Sequence, residues 1–408
     1  MTPAVHFRRS CYPRSMRAVT IAGVVTILGA RGVSLERSSD HVRLSALAVY
    51  ARAVQSQSTD MSVWSVTLQD EISSTAAASN GRCLVALVGS RVHVLDSMGR
   101  PLWDSSALHA THREDGPLAV SSSCEWVALS SRRQPTHVQI IERGQTGRVV
   151  ALAERPDDDQ TNASEPRSLA IAPDSGSMAV GTEADRLVLI SREGNITRRI
   201  DTAGGDSPVD VEFLPDGKNL LLTGMVAGGV LTLDGQRRWP DRSGSIRADR
   251  SLRFFAAWFT RSHGPQDGDV SLLDQRGRVL WTRSVWSPSV DIAPDGAFVA
   301  VSAVPESAVQ PSDIGPVPYE SREEVSLIGR DGKDLARRTL RASVRFVTAD
   351  SRCVVLEHRD GLAGLDLALN DRWTLPGSWH FFTRLGPNLL VRSDGRTLRA
   401  FRIPGCGA

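Results

Sequence analysis

Lysine is nearly absent from this 408-residue chain: of its 48 basic residues all but Lys218 and Lys333 are arginine. Acidic residues number 46, so the net charge is only +2, and the basic surplus that nucleic-acid binding needs is missing. Aromatics are sparse at 5%. None of the five cysteines forms a CxxC pair, which removes the paired soft ligands of a structural zinc site. No HExxH, GxSxG, Walker loop or GxGxxG after a strand occurs, so no motif for metalloprotease, hydrolase, nucleotide or dinucleotide chemistry is present. Cys83, Cys124 and Cys353 lie in or beside apolar runs and read as small buried hydrophobes. Cys406, just beyond the last apolar run, reads as an exposed thiol. What the chain does contain, 41% hydrophobic residues with 34 Gly and 21 Pro, suits a large globular core.

Residues 1–35 hold five arginines and no acid, and enclose the uncharged run Ala18–Ala30. As a helix that run would be about 20 Å long, short of the ~30 Å hydrocarbon core. A positive flank, a short apolar run and small residues around Arg31 predict a secretory signal or membrane anchor over 1–35, with Met16 an alternative start. The expected location is therefore exported, periplasmic or extracytoplasmic, with a possible tether through 18–30; a cytoplasmic protein with a tail is the alternative. Leu44, Leu47, Ala48, Ala51 and Val54 recur at helical spacing, so 36–61 reads as a short amphipathic helix and linker.

From residue 62 the helical period gives way to short β-rich runs broken by Gly, Asp, Asn and Pro. Leu95-Asp96-Ser-Met-Gly99-Arg-Pro-Leu-Trp103 recurs in type as Leu273-Asp274-Gln-Arg-Gly277-Arg-Val-Leu-Trp281, and shortened as Leu233–Trp239. Weaker copies start at Ile141, Ile190, Ile328 and Leu365, with a last one around Phe401. The spacings of 46, 49, 43, 40, 55, 37 and 36 residues bracket the ~40–45 of a four-stranded propeller blade. A Pro-Asp turn, as in Ile171–Asp174, Phe213–Gly217 and Ile292–Gly296, precedes several anchors and presets a tight hairpin.

These turns resemble those of WD40-like and related bacterial β-propeller repeats. The Leu-Asp-x-x-Gly-x-x-x-Trp units resemble PQQ (quinoprotein-like) repeats, including those of a non-catalytic scaffold in outer-membrane protein assembly. The likeness covers about 62–403, without the Gly-His and Trp-Asp dipeptides of true WD40 blades or the paired cysteines of quinoprotein dehydrogenases. It implies an all-β propeller over 62–408, with eight blades preferred and seven possible. Ser62–Leu68 supplies the outer strand that the last unit lacks and so closes the ring.

In such a ring the a–b and c–d turns share one face and the b–c and d–a loops the other. The long connections Asp104–Pro117, Glu154–Arg167, Arg261–Asp269 and Pro305–Glu324 all fall on the loop face. Loops of that length carry function more often than scaffold does. His109, His112, Arg113, Asp158, His263, Asp267, Tyr319, Glu320, His358 and Arg359 are the candidate partner-binding residues. His109, His112 and Asp115 are the candidate metal ligands, set against a solvated polar loop. The expected function is a non-enzymatic, monomeric scaffold binding a protein partner, without cofactor or nucleic acid. The alternatives are a metal-assisted hydrolase or lyase and a small-ligand or glycan sensor, the latter drawing on Tyr319 and Trp286.

Overall fold

The computed structural model describes residues 62–107, 116–131, 134–145, 147–153, 165–182, 186–201, 209–236, 242–258, 267–304, 324–377 and 382–406. The N-terminal signal and helix expected over 1–61 lie outside them. Every regular element among the described residues is a β-strand, paired antiparallel within its sheet.

The first sheet contains Ile72–Ala77, Cys83–Val88, Arg91–Asp96 and Pro101–Ser106. The second runs from Leu118–Val120 to Arg148–Ala151 and the third from Pro166–Ile171 to Ile196–Asp201. Nine strands from Val209–Phe213 to Asp334–Thr339 follow in one hydrogen-bonded succession. Within it Val279–Ile292 is a single 14-residue strand whose register shifts between Trp286 and Ser289. Its first half pairs with Asp267–Asp274 and its second with Phe298–Val304, so one strand ends one hairpin set and begins the next. Another four-stranded sheet spans Ser343–Val347 to Asp371–Pro376. In the last sheet Phe382–Leu385, Leu389–Asp394 and Thr397–Arg402 are joined by the N-terminal strand Ser62–Thr67, which pairs with Thr397–Arg402.

Contacts between sheets identify their inner edges. Ile72–Ala77 touches Leu118–Val120 and Phe382–Leu385, Leu118–Val120 touches Pro166–Ile171, and Pro166–Ile171 touches Val209–Phe213. The first strand of each sheet therefore lies toward a common axis. Second strands are buried on both faces, as in Cys83–Val88 and Phe298–Val304, and read as unbroken apolar runs for that reason. The outermost strands alternate, as in Asp371–Pro376.

The buried side chains fall into eight clusters, each drawn from two neighbouring sheets or from two successive hairpin sets of the nine-stranded one. One unites Leu84, Ala86 and Leu95 of the first sheet with Leu385, Val391, Leu398 and Ala400 of the last, with Trp64 packed against it. Each fully buried aliphatic side chain contributes ~1.5–3 kcal/mol, so stability resides between sheets as much as within them.

The repeat signature has a structural cause. Asp96 Oδ1 accepts the backbone N–H groups of Met98 and Arg100, both at 2.9 Å. Asp274 serves Arg276 and Arg278 in the same way, and Asp366 serves Ala368 and Asn370. Gly99 adopts φ 77°, and a Cβ there would lie 2.7 Å from the Trp64 ring of the neighbouring sheet. Gly332, at φ 78°, meets the Trp281 ring likewise. The motif's tryptophan thus rests on the next unit's glycine.

The cysteines correct the sequence reading. Cys83 is joined to Cys124 and Cys353 to Cys406, with Cα separations of 6.1 and 5.3 Å. Cys406 is 6% exposed rather than free. The partners are 41 and 53 residues apart, about one repeat, and stacking of adjacent sheets brings such positions together.

Candidate functional site

The two ends of the ring differ in the length of their connections. At the turn end, neighbouring units are bonded to one another. Asn80 Nδ2 donates to Ser122 O at 2.8 Å, and Ser122 Oγ donates to Pro173 O at 2.5 Å. Trp126 Nε1 donates to Ser175 O, and Trp103 Nε1 to Cys124 O. Arg250 N donates to Pro294 O, and within one unit Arg330 reaches the carbonyls of Asp295 and Gly296. Both disulfides belong to this end, since Cys124 lies in an a–b turn, Cys83 and Cys353 follow such turns, and Cys406 follows a c strand.

The loop end carries the connections 107–117, 152–165, 259–266 and 305–323. His109, His112, Arg113, Asp115, Asp158, His263, Tyr319 and Glu320 lie outside the described residues. Two loop boundaries on this end change, at Asp267 and Asp104. Asp267 begins the strand Asp267–Asp274, opposite Trp286, rather than sitting within a loop. Asp104 likewise belongs to Pro101–Ser106, where it pairs with Arg91 at 2.6 Å. His358 is the last residue of Val354–His358, opposite Gly361, and its Nδ1 accepts from Asp360 N at 3.3 Å. Arg359 is exposed in the tight turn between them. His93, inside Arg91–Asp96, is half-buried; burial pushes its imidazole down, Asp104 opposes that and Arg91 adds to it. Among the described residues no group of His, Cys, Asp or Glu is placed to hold a metal ion.

A second constellation gathers near the axis. In every a–b hairpin the penultimate pair before the turn places one first-strand residue at a common level. Going round the ring these are Ala76, Ala119, Ala170, Glu212, Arg247, Asp291, Phe346 and Arg384. Three alanines therefore occupy one arc, and the charged residues with one phenylalanine the other. Asp210, Arg167 and Arg345 stand on the same inner strands, and Arg250 in the adjoining turn.

Physical chemistry assigns these groups partners. Inner strands have no further strand to pair with, so exposed backbone groups need side-chain partners. Asp291 Oδ2 accepts Val347 N–H of the next sheet at 2.7 Å, and Ser168 Oγ accepts Val211 N–H at 3.0 Å. Burial nonetheless pushes the Asp291 carboxyl up to about 6, against the pull of Val347 N–H, Arg247, Ile292 N–H and Arg384. Crowding by protein raises Asp210 too, opposed by Arg247 and Arg167. Desolvation lowers the Arg384 guanidinium, Asp291 supports its charge, and Arg250 opposes it as a like charge. Arg384 lies over the Phe346 ring with Cζ 4.7 Å from its centroid, and Arg247 lies 6.0 Å from that of Trp258. Arg345 is bonded to Glu357, which is only 2% exposed.

The sequence carried no local sign of this cluster, because each member stands alone in its unit. Alignment of the units on their a–b turns is the signal that would have found it.

No protein-family model and no curated protein sequence matches the chain. Among solved structures it is similar to one described as "Structure of Dos1 propeller", with a TM-score of 0.58 and 10% identity over 85% of this chain and 96% of that one. At this identity the likeness is one of fold, and together with the all-β strand order it makes this chain a β-propeller.

Proposed function

We propose that the chain is an exported, eight-bladed propeller that acts as a non-catalytic scaffold and binds a protein partner through its b–c and d–a loops. The observation that carries this reading is the asymmetry of the two ends. Side chains and backbone at the turn end are engaged in bonds between units, including both disulfides. The longest connections lie at the opposite end, where variation costs the scaffold least. Two buried disulfides favour an oxidising compartment, in keeping with the arginine-flanked apolar run at 18–30.

Affinity capture of a C-terminally tagged full chain from its own host, after mild detergent extraction, tests the reading. A stoichiometric protein partner is expected. A monomer with no partner, or reproducible turnover by the purified chain, would overturn it.

A further inference from the structure

We infer that the charged arc at the turn end of the axis is an oxyanion-binding site, with Arg247, Arg250 and Arg384 as its cationic wall. The ligand class is a compact group with two or more negatively charged oxygens, carboxylate or phosphate-like. This surface is distinct from the loop end and owes nothing to the partner proposed there.

Three observations carry the inference. The hairpin registers bring Arg247 and Arg384 to one level around Asp291, while Arg250 lies three residues beyond Arg247 in the following turn. Asp291 is the carboxylate whose charge acts on both Arg247 and Arg384, and one of its oxygens already accepts Val347 N–H. Arg250 meanwhile acts on Arg384 as a like charge. Guanidiniums that repel one another beside a committed carboxylate are stabilised by an added oxyanion, because each presents a planar fork that matches two oxygens.

The neighbouring charges do not cancel this. Arg345 is bonded to Glu357, and Asp210 is set between Arg167 and Arg247. Glu212 stands at the same level on the far side of Arg247 from Asp291. The arc of Ala76, Ala119 and Ala170 opposite leaves small side chains where bulk would compete with a ligand. The rings of Phe346 and Trp258 beside Arg384 and Arg247 support those guanidiniums.

Isothermal titration of the full chain with sulfate and with succinate, at constant ionic strength set by sodium chloride, tests the site. Saturable one-to-one binding of at least one of them is expected. A preference for sulfate points to a phosphate or sulfate ester, and a preference for succinate to a carboxylate ligand. Arg384→Gln and, separately, Arg250→Gln should each weaken binding at least tenfold, whereas Arg143→Gln on an outer turn should not. Arg250 is exposed, so its variant keeps the test valid if Arg384→Gln proves unstable. Heats indistinguishable from the chloride blank for both anions, or undiminished binding by Arg250→Gln, would overturn the inference. Replacing 305–323 by a short linker should leave anion binding unchanged, which separates this result from the fate of the loop-end reading.

Discussion

Removing the Cys353–Cys406 cross-link, as the double variant Cys353→Ala/Cys406→Ala, should destabilise the propeller strongly. The bond joins positions 53 residues apart, and the other joins positions 41 apart. On the chain-entropy relation each closes a loop worth about 4 kcal/mol to the unfolded state. The two bonds stand on either side of the sheet in which Ser62–Thr67 meets Thr397–Arg402, so each restrains a neighbour of the joint between chain ends. For an array of this size about 4 kcal/mol corresponds to a fall of about 5 °C in Tm. Thermal and urea unfolding of parent and double variant would measure it. Denaturation in alkylating reagent without reductant should leave Cys83, Cys124, Cys353 and Cys406 of the parent unlabelled. Because all four are at most 7% exposed, a mild reductant should act slowly on the folded chain. A double variant within about 0.5 kcal/mol of the parent, or labelling of any of the four in oxidised parent, would refute this reasoning.

The raised Asp291 carboxyl makes the folded state the tighter proton binder. Its contribution to stability is therefore present below the ordinary value of 3.8 and is lost as pH rises through about 6. Asp291→Asn keeps an acceptor for Val347 N–H, so its stability relative to the parent should rise by up to about 3 kcal/mol between pH 4 and 7.5; parallel urea profiles at the two pH values would contradict this. Arg345→Ala should cost about 3 kcal/mol by depriving buried Glu357 of its ion pair, and adding Glu357→Gln should recover much of that, both read from urea midpoints. Gly99→Ala should destabilise by more than 1 kcal/mol, since the residue must hold a left-handed φ against the Trp64 ring. A chain beginning at Asp70 should unfold at a markedly lower temperature and self-associate, because Thr397–Arg402 becomes an open sheet edge; an unchanged Tm would count against any structural role for Ser62–Thr67.

Much of the fold is visible in the residues because the units repeat a local solution. Asp96, Asp274 and Asp366 recur because each holds a turn through its own carboxylate, and Gly99 and Gly332 because each has a left-handed φ beside a tryptophan ring that crowds a Cβ. The disulfides escaped the same reading. Cys83 and Cys124 look like isolated apolar residues until adjacent sheets are stacked, and nothing near Cys406 shows that the tail folds back onto Cys353. The strand Val279–Ile292 hid its double role, since a shift at Trp286 rather than a turn separates its halves. The axial charges were illegible for a related reason: Arg247, Asp291 and Arg384 are single residues in otherwise unremarked strands, and only register sets them side by side.

The most direct test of the account is a comparison of partner capture by two variants of the full chain. One replaces 305–323 with a short linker, and the other carries Arg330→Glu and Lys333→Glu on a c–d turn. The account predicts that the first loses the partner while the second retains it at parental stoichiometry. Loss by the turn variant with retention by the loop variant would contradict it and place the binding surface on the opposite end of the ring.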